Sequence, residues 1–125
     1  MAKKIIFDKN YFVLPATHHI LTVSAFIPFC MVTAYNPALI PESLGFVRTA
    51  SFYLAENYPI LTMVLGYNPP IVHGLEAVYA AYLCSNAGMT TSTTVKWVLS
   101  TLVFGFSSVL LKLRPYLQNA KKSQP

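Results

Sequence analysis

Acidic side chains are almost missing from this chain: Asp8, Glu42, Glu56 and Glu76 are the only four in 125 residues. Charged residues of both signs make up 10% of the sequence, against roughly 25% in an average soluble domain. Too few polar groups remain to cover a water-facing surface, because 54% of the residues are hydrophobic. Other absences narrow the chemistry. There is no Gly-rich phosphate loop, no Cys-x-x-Cys pair and no Ser-His-Asp set in a recognisable context. Cys30 and Cys84 both lie in apolar runs, which excludes a disulfide framework and reads as two small buried thiols. No Asn-x-Ser/Thr acceptor occurs, and MAKKIIFDKNYFVLP carries no cleavable leader pattern. The first apolar run is then expected to serve as its own insertion signal.

What the chain does contain is apolar helix with basic ends. Lys3, Lys4 and Lys9 stand at the start, and Lys112, Arg114, Lys121 and Lys122 at the finish. Such tails suit anionic lipid headgroups; a nucleic-acid binder would spread its basic residues over a folded face. The reading is one all-α membrane domain over residues 1–125, with membrane lipids and other membrane subunits as partners and no nucleic acid. Three spans follow from hydrophobicity, over about 18–36, 59–84 and 95–113. Pro28 predicts a kink in the first span. In the second, Asn68-Pro69-Pro70 predicts a break, with a new helix starting near Pro70. The third, VKWVLSTLVFGFSSVLLKL, reads as the cleanest: Lys96 and Trp97 mark one interface, and Lys112, Arg114 and Tyr116 the other.

An amphipathic helix over about 43–57, with Ser43 as its cap, fits the membrane interface better than the interior. Thr93 or Thr94 is expected to cap the last helix. A four-span alternative would send Phe46–Gly66 across as well and put both basic tails on one side. Arg48, Glu56 and Asn57 argue against it.

Two features carry candidate function. In PPIVHGLEAVYAAYLC, His73 and Glu76 stand three apart and therefore share a helix face. A bare carboxylate at mid-membrane costs at least about 2.5 kcal/mol, so Glu76 must be protonated, paired or hydrogen-bonded. Either the pair is an intramembrane polar latch, with Glu76 reaching Ser100, Thr101, Ser108 or a freed backbone group, or it contacts a lipid headgroup with Tyr79 or Tyr82 alongside. A di-metal site would need two Glu-x-x-His motifs and further carboxylates, and one reversed pair does not provide them. No metal, cofactor or catalytic residue is expected, although a bound phospholipid such as cardiolipin is compatible with the basic tails. The second feature is Thr101, Gly105 and Ser108, small residues on one helix face, where a neighbouring backbone can come close. His18 and His19 read as interfacial histidines whose side chains diverge.

The second half resembles the transmembrane protein 254 family. GYNPPIVHGLEAVYAAYLC, AGMTTSTT and WVLSTLVFGFSSVLL carry the likeness, over about residues 66–114, with His73, Glu76, Tyr79 and Cys84 at matching positions. The first span agrees in character, and the Asn-Pro-Pro stretch is a departure. The resemblance implies a multi-span organelle-membrane protein and brings no activity with it.

Two functions are weighed from this. The first is a non-catalytic accessory subunit of a membrane complex of the mitochondrial inner membrane, in the respiratory chain or ATP synthase. The other is a stand-alone endoplasmic-reticulum protein that binds or isomerises a sterol-like lipid with Glu76 and His73. KKSQP misses the di-lysine retrieval register by one place, which leans against the second compartment.

Overall fold

The structure, a computed structural model, describes residues 5–123. Every regular element among them is helical. The chain divides into two compact units, Ile20–Ile71 and Met1–His19 with Val72–Pro125.

In the Ile20–Ile71 unit, helix α1 (Thr17–Tyr35) supplies most of the apolar length. It is the one helix among the described residues that is both long and apolar enough to cross a membrane. It continues through Pro28, as expected of a kinked rather than broken span. Two short 3-10 turns, Pro37–Leu39 and Glu42–Leu44, lead into α2 (Phe46–Asn57). Arg48 of α2 donates to the carbonyls of Ala38 and Ile40 and lies 5.4 Å from the centre of the Phe52 ring, so it pins this connection. Ser43 does not cap α2. It lies inside the second 3-10 turn, and the cap position falls to Gly45, whose φ of +39° reverses the chain. Helix α3 (Pro59–Ala87) follows after Tyr58 leaves helical geometry at φ −132°, ψ 55°. The segment Phe46–Gly66 is therefore not one continuous helix. The seam is closed by Thr62, whose hydroxyl meets the carbonyls of Tyr58 (2.8 Å) and Leu54 (3.1 Å). The Thr33 hydroxyl donates to the Phe29 carbonyl (2.7 Å) and accepts from Ser51 (2.7 Å), tying α1 to α2.

Two expectations about continuity are corrected. The Asn68–Pro70 stretch does not end a helix: α3 runs through both prolines. Their missing N–H groups leave the carbonyls of Leu65 and Gly66 without helical donors, yet ten residues of α3 already precede them, so no new nucleation is needed. The boundary between the two units falls just after, between Ile71 and Val72. The 95–113 segment, conversely, is not one helix. Helix α4 (Thr91–Phe104) stops at Gly105, where φ is +62° and ψ is −134°, a region open essentially to glycine alone. A short α5 (Phe106–Ser108), a π-helical stretch (Val109–Leu113) and α6 (Arg114–Lys122) follow. The chain folds back at this point, because Ser108 donates to the Ser100 hydroxyl at 2.9 Å. The cap of α4 is Thr90, which accepts from the N–H of Thr93; Thr93 and Thr94 sit within the first turn.

The N-terminal segment explains why Trp97 and Tyr116 do not mark opposite interfaces. Trp97 is fully buried and Tyr116 nearly so. The Tyr11 ring stacks on Tyr116 with centres 3.7 Å apart and lies 6.3 Å from Trp97, while Phe12 meets Trp97 edge-on at 5.0 Å. Polar bonds hold the segment in place. Trp97 Nε1 donates to the Tyr11 carbonyl (2.9 Å), and the Tyr116 hydroxyl accepts from the Asp8 N–H (2.7 Å). The start of α4 and the middle of α6 therefore lie at the same end of the hairpin.

Candidate functional site

The two features that the sequence kept apart meet at the hairpin tip. A Cβ placed on Gly105 would collide with Nε2 of His73, lie 2.6 Å from its Cδ2 and 2.9 Å from Oε2 of Glu76. His73 and Glu76 thus share one face of α3, and that face is set against the turn of the hairpin. Gly105 serves twice, in its backbone angle and in its missing side chain.

The turn creates a need that His73 meets. Leu102 is among the last four residues of α4, whose carbonyls have no partner within the helix. His73 Nδ1 lies 3.1 Å from the Leu102 carbonyl oxygen. A carbonyl can only accept, so Nδ1 must carry the proton. In the neutral ring Nε2 then holds the lone pair, facing Gly105. The histidine is a side-chain cap for the end of α4, delivered by a different helix.

Glu76 is placed differently from the sequence-based latch. Its Oε2 is buried and has no hydrogen-bond partner among the described residues. The hydroxyls expected to reach it are engaged elsewhere: Thr101 donates to the Trp97 carbonyl at 2.7 Å, and Ser100 and Ser108 bond each other. The backbone group bound on this face is the Leu102 carbonyl at the end of α4, and it is His73, not Glu76, that binds it. Tyr79 is half-buried against the aromatic core, and Tyr82 is 61% exposed. Thr101, Gly105 and Ser108 are all buried. They are covered by the chain's own helices.

Of the basic tails, Arg114, Lys121 and Lys122 are exposed and Lys112 is half-buried, whereas Lys3 and Lys4 lie outside the described residues. The rings of His18 and His19 do not diverge; their centres are 4.2 Å apart, and His19 approaches Phe106 edge-on at 6.4 Å. Sequence reasoning missed the N-terminal aromatic segment altogether. The signal for it was there: Phe7, Tyr11 and Phe12 are too many rings for a solvated tail.

Along the chain, many small residues are buried while many large apolar ones are exposed, unlike in a water-soluble protein. Small residues are inside, among them Ala77, Ala80, Cys84, Ser100, Thr101 and Ser107; large apolar ones such as Ile60, Ile71, Leu75 and Val78 are outside. Helices in lipid pack this way, because small side chains let backbones approach and large ones face the hydrocarbon.

The comparisons with known proteins agree. The sequence profile described as transmembrane protein 254 matches residues 17–114. The match therefore begins at the first residue of α1, well before the 66–114 stretch that carries the visible likeness. A protein named transmembrane protein 254 from Bos taurus is 28% identical over 112 residues, covering 86% of this chain and 90% of its own length. One of the same name from Rattus norvegicus is 35% identical over 83 residues, covering 63% of this chain and 68% of its own. No solved structure matches. This chain is a helical membrane protein and belongs to the transmembrane protein 254 family.

Proposed function

We propose that the protein is a non-catalytic accessory subunit of a larger membrane complex, with α1 crossing the bilayer and the α4–α6 hairpin entering it. One observation carries the reading: the outward faces of α1 and α3 are built of large apolar side chains, Leu21, Phe26, Ile60, Val64, Leu75 and Val78 among them. Such faces need hydrocarbon or neighbouring helices as their surroundings. Dimensions support a re-entrant hairpin. The 14 residues of α4 reach about 21 Å, short of the roughly 30 Å of a bilayer core. Its non-helical tip lies against protein, where a broken backbone at membrane depth is tolerated.

The complex we favour belongs to the mitochondrial inner membrane, in the respiratory chain or ATP synthase. Its anionic lipids, cardiolipin included, match the basic residues at both ends of the chain. The chemistry at the hairpin tip supports a structural role as well, since His73 Nδ1 is committed to the Leu102 carbonyl. Deleting the protein and resolving mitochondrial membranes on a native gel tests the reading. A large complex should fall in abundance or shift in mobility, with this chain co-migrating in the wild type. Migration of the chain as a free monomer in mild detergent, with every large complex intact, would overturn it.

A further inference from the structure

A groove of about 490 Å³ opens between the N-terminal segment, the last turns of α3 and the outer side of α6. That volume falls within the roughly 300–1,000 Å³ typical of ligand sites. Its apolar wall includes Phe7, Leu83 and Leu117, and its polar lining includes Asn86, Gln118 and Lys121. Among the described residues, Lys121 is the only charged one in the lining. Asp8, the nearest acid along the chain, turns its carboxylate onto its own loop, where it accepts from the Asn10 N–H at 2.9 Å.

The helix that forms one side is itself an interfacial element. In α6, Tyr116 and Ala120 are buried, whereas Arg114, Gln118, Asn119, Lys121 and Lys122 are exposed. A short basic amphipathic helix of this kind lies at headgroup depth. The groove thus combines an apolar wall with one cation and two amide groups, at the level where a phospholipid changes from chain to phosphate.

We propose that this groove binds an anionic glycerophospholipid, with its phosphate at Lys121, hydrogen bonds from Asn86 and Gln118, and its first acyl carbons along Phe7, Leu83 and Leu117. The inference rests on the membrane reading above and deepens it by naming a ligand and a site. The framing contacts make the groove a built feature of the fold, since the Phe7 ring stacks against Tyr116 at 6.4 Å and the Ile5 N–H donates to the Ser123 hydroxyl at 3.4 Å.

The test is native mass spectrometry of the purified full chain in mild detergent, with dioleoyl phosphatidylglycerol and dioleoyl phosphatidylcholine supplied in equal amounts. The wild type should retain the phosphatidylglycerol several-fold over the phosphatidylcholine. Lys121→Glu should abolish that preference, whereas Lys122→Glu, the same charge change outside the groove, should keep it. Leu83→Trp, which fills the apolar wall, should lower retention of both lipids. An absent preference in the wild type, or equal losses for the two lysine variants, would overturn the assignment. Displacement of the lipid by excess inorganic phosphate would overturn it too, by reducing the groove to a simple phosphate site. A chain that keeps the preference yet migrates alone on native gels would uphold the groove and sink the subunit reading instead.

Discussion

Position 73 shows how an ionisable side chain comes to sit in an apolar helix. The spacing of His73 and Glu76 said that they would share a face, but not what that face would meet, because the partner is a backbone carbonyl freed 29 residues later. No side-chain pattern announces such a group. The role is nonetheless specific enough to test. Removing the donor with His73→Ala leaves the Leu102 carbonyl without its partner, a loss of about 0.5–1.5 kcal/mol for one hydrogen bond. Asn can offer an amide N–H from nearly the place that Nδ1 occupies, so His73→Asn should recover much of the loss. Thermal unfolding of the two variants in the same detergent separates the outcomes. Equal destabilisation by Ala and Asn would mean that the ring's packing, not its N–H, matters at this position.

Among the helices, proline and glycine exchange the parts that sequence assigns them. Pro69-Pro70 looked like a break and is helix; Gly105 looked like a packing residue and is a turn. Proline acts locally by removing two hydrogen bonds, and a helix already formed on one side can carry on past them. Glycine permits many conformations, and tertiary contacts decide among them: here the Ser100–Ser108 bond and the His73 cap select the left-handed angle. The helical class and the position of α1 were legible because they depend on local hydropathy and length. The hairpin was not, because it depends on contacts between α3 and α4. Gly66 illustrates the close approach that small residues do permit. Its α3 position faces α1 so tightly that an added Cβ would strike the Cβ of Ala34 and come within 2.7 Å of the Cys30 carbonyl. Gly66→Ala should therefore push the helices apart and cost about 1–3 kcal/mol, the usual range for overpacking. A lowered unfolding temperature, with helix content unchanged by circular dichroism, is the expected result; an unchanged temperature would mean that α1 and α3 are not in contact there.

At the scale of the whole molecule, the fold-back at Gly105 decides at which end of the hairpin α6 lies. A continuous helix over 95–113 would carry Lys96 and the C-terminal residues to opposite faces of the bilayer. In the hairpin, Tyr11 touches both Trp97 in the middle of α4 and Tyr116 within α6, so the two arms lie side by side. The N-terminal segment joins them, since the Thr90 N–H donates to the Lys9 carbonyl at 3.1 Å. The arrangement can be read with single cysteines in a chain whose Cys30 and Cys84 have been replaced by serine. Lys96→Cys and Asn119→Cys both occupy exposed positions, and in sealed vesicles a membrane-impermeant maleimide should label both or neither, according to vesicle orientation. Adding Gly105→Ala places a side chain on a backbone conformation open essentially to glycine alone, at a cost of about 1–3 kcal/mol, and crowds His73, so the same pair should lose its common labelling as the segment straightens or unfolds. Opposite accessibility of the two cysteines in the otherwise native chain would restore the single span and remove the reason for a histidine at the hairpin tip.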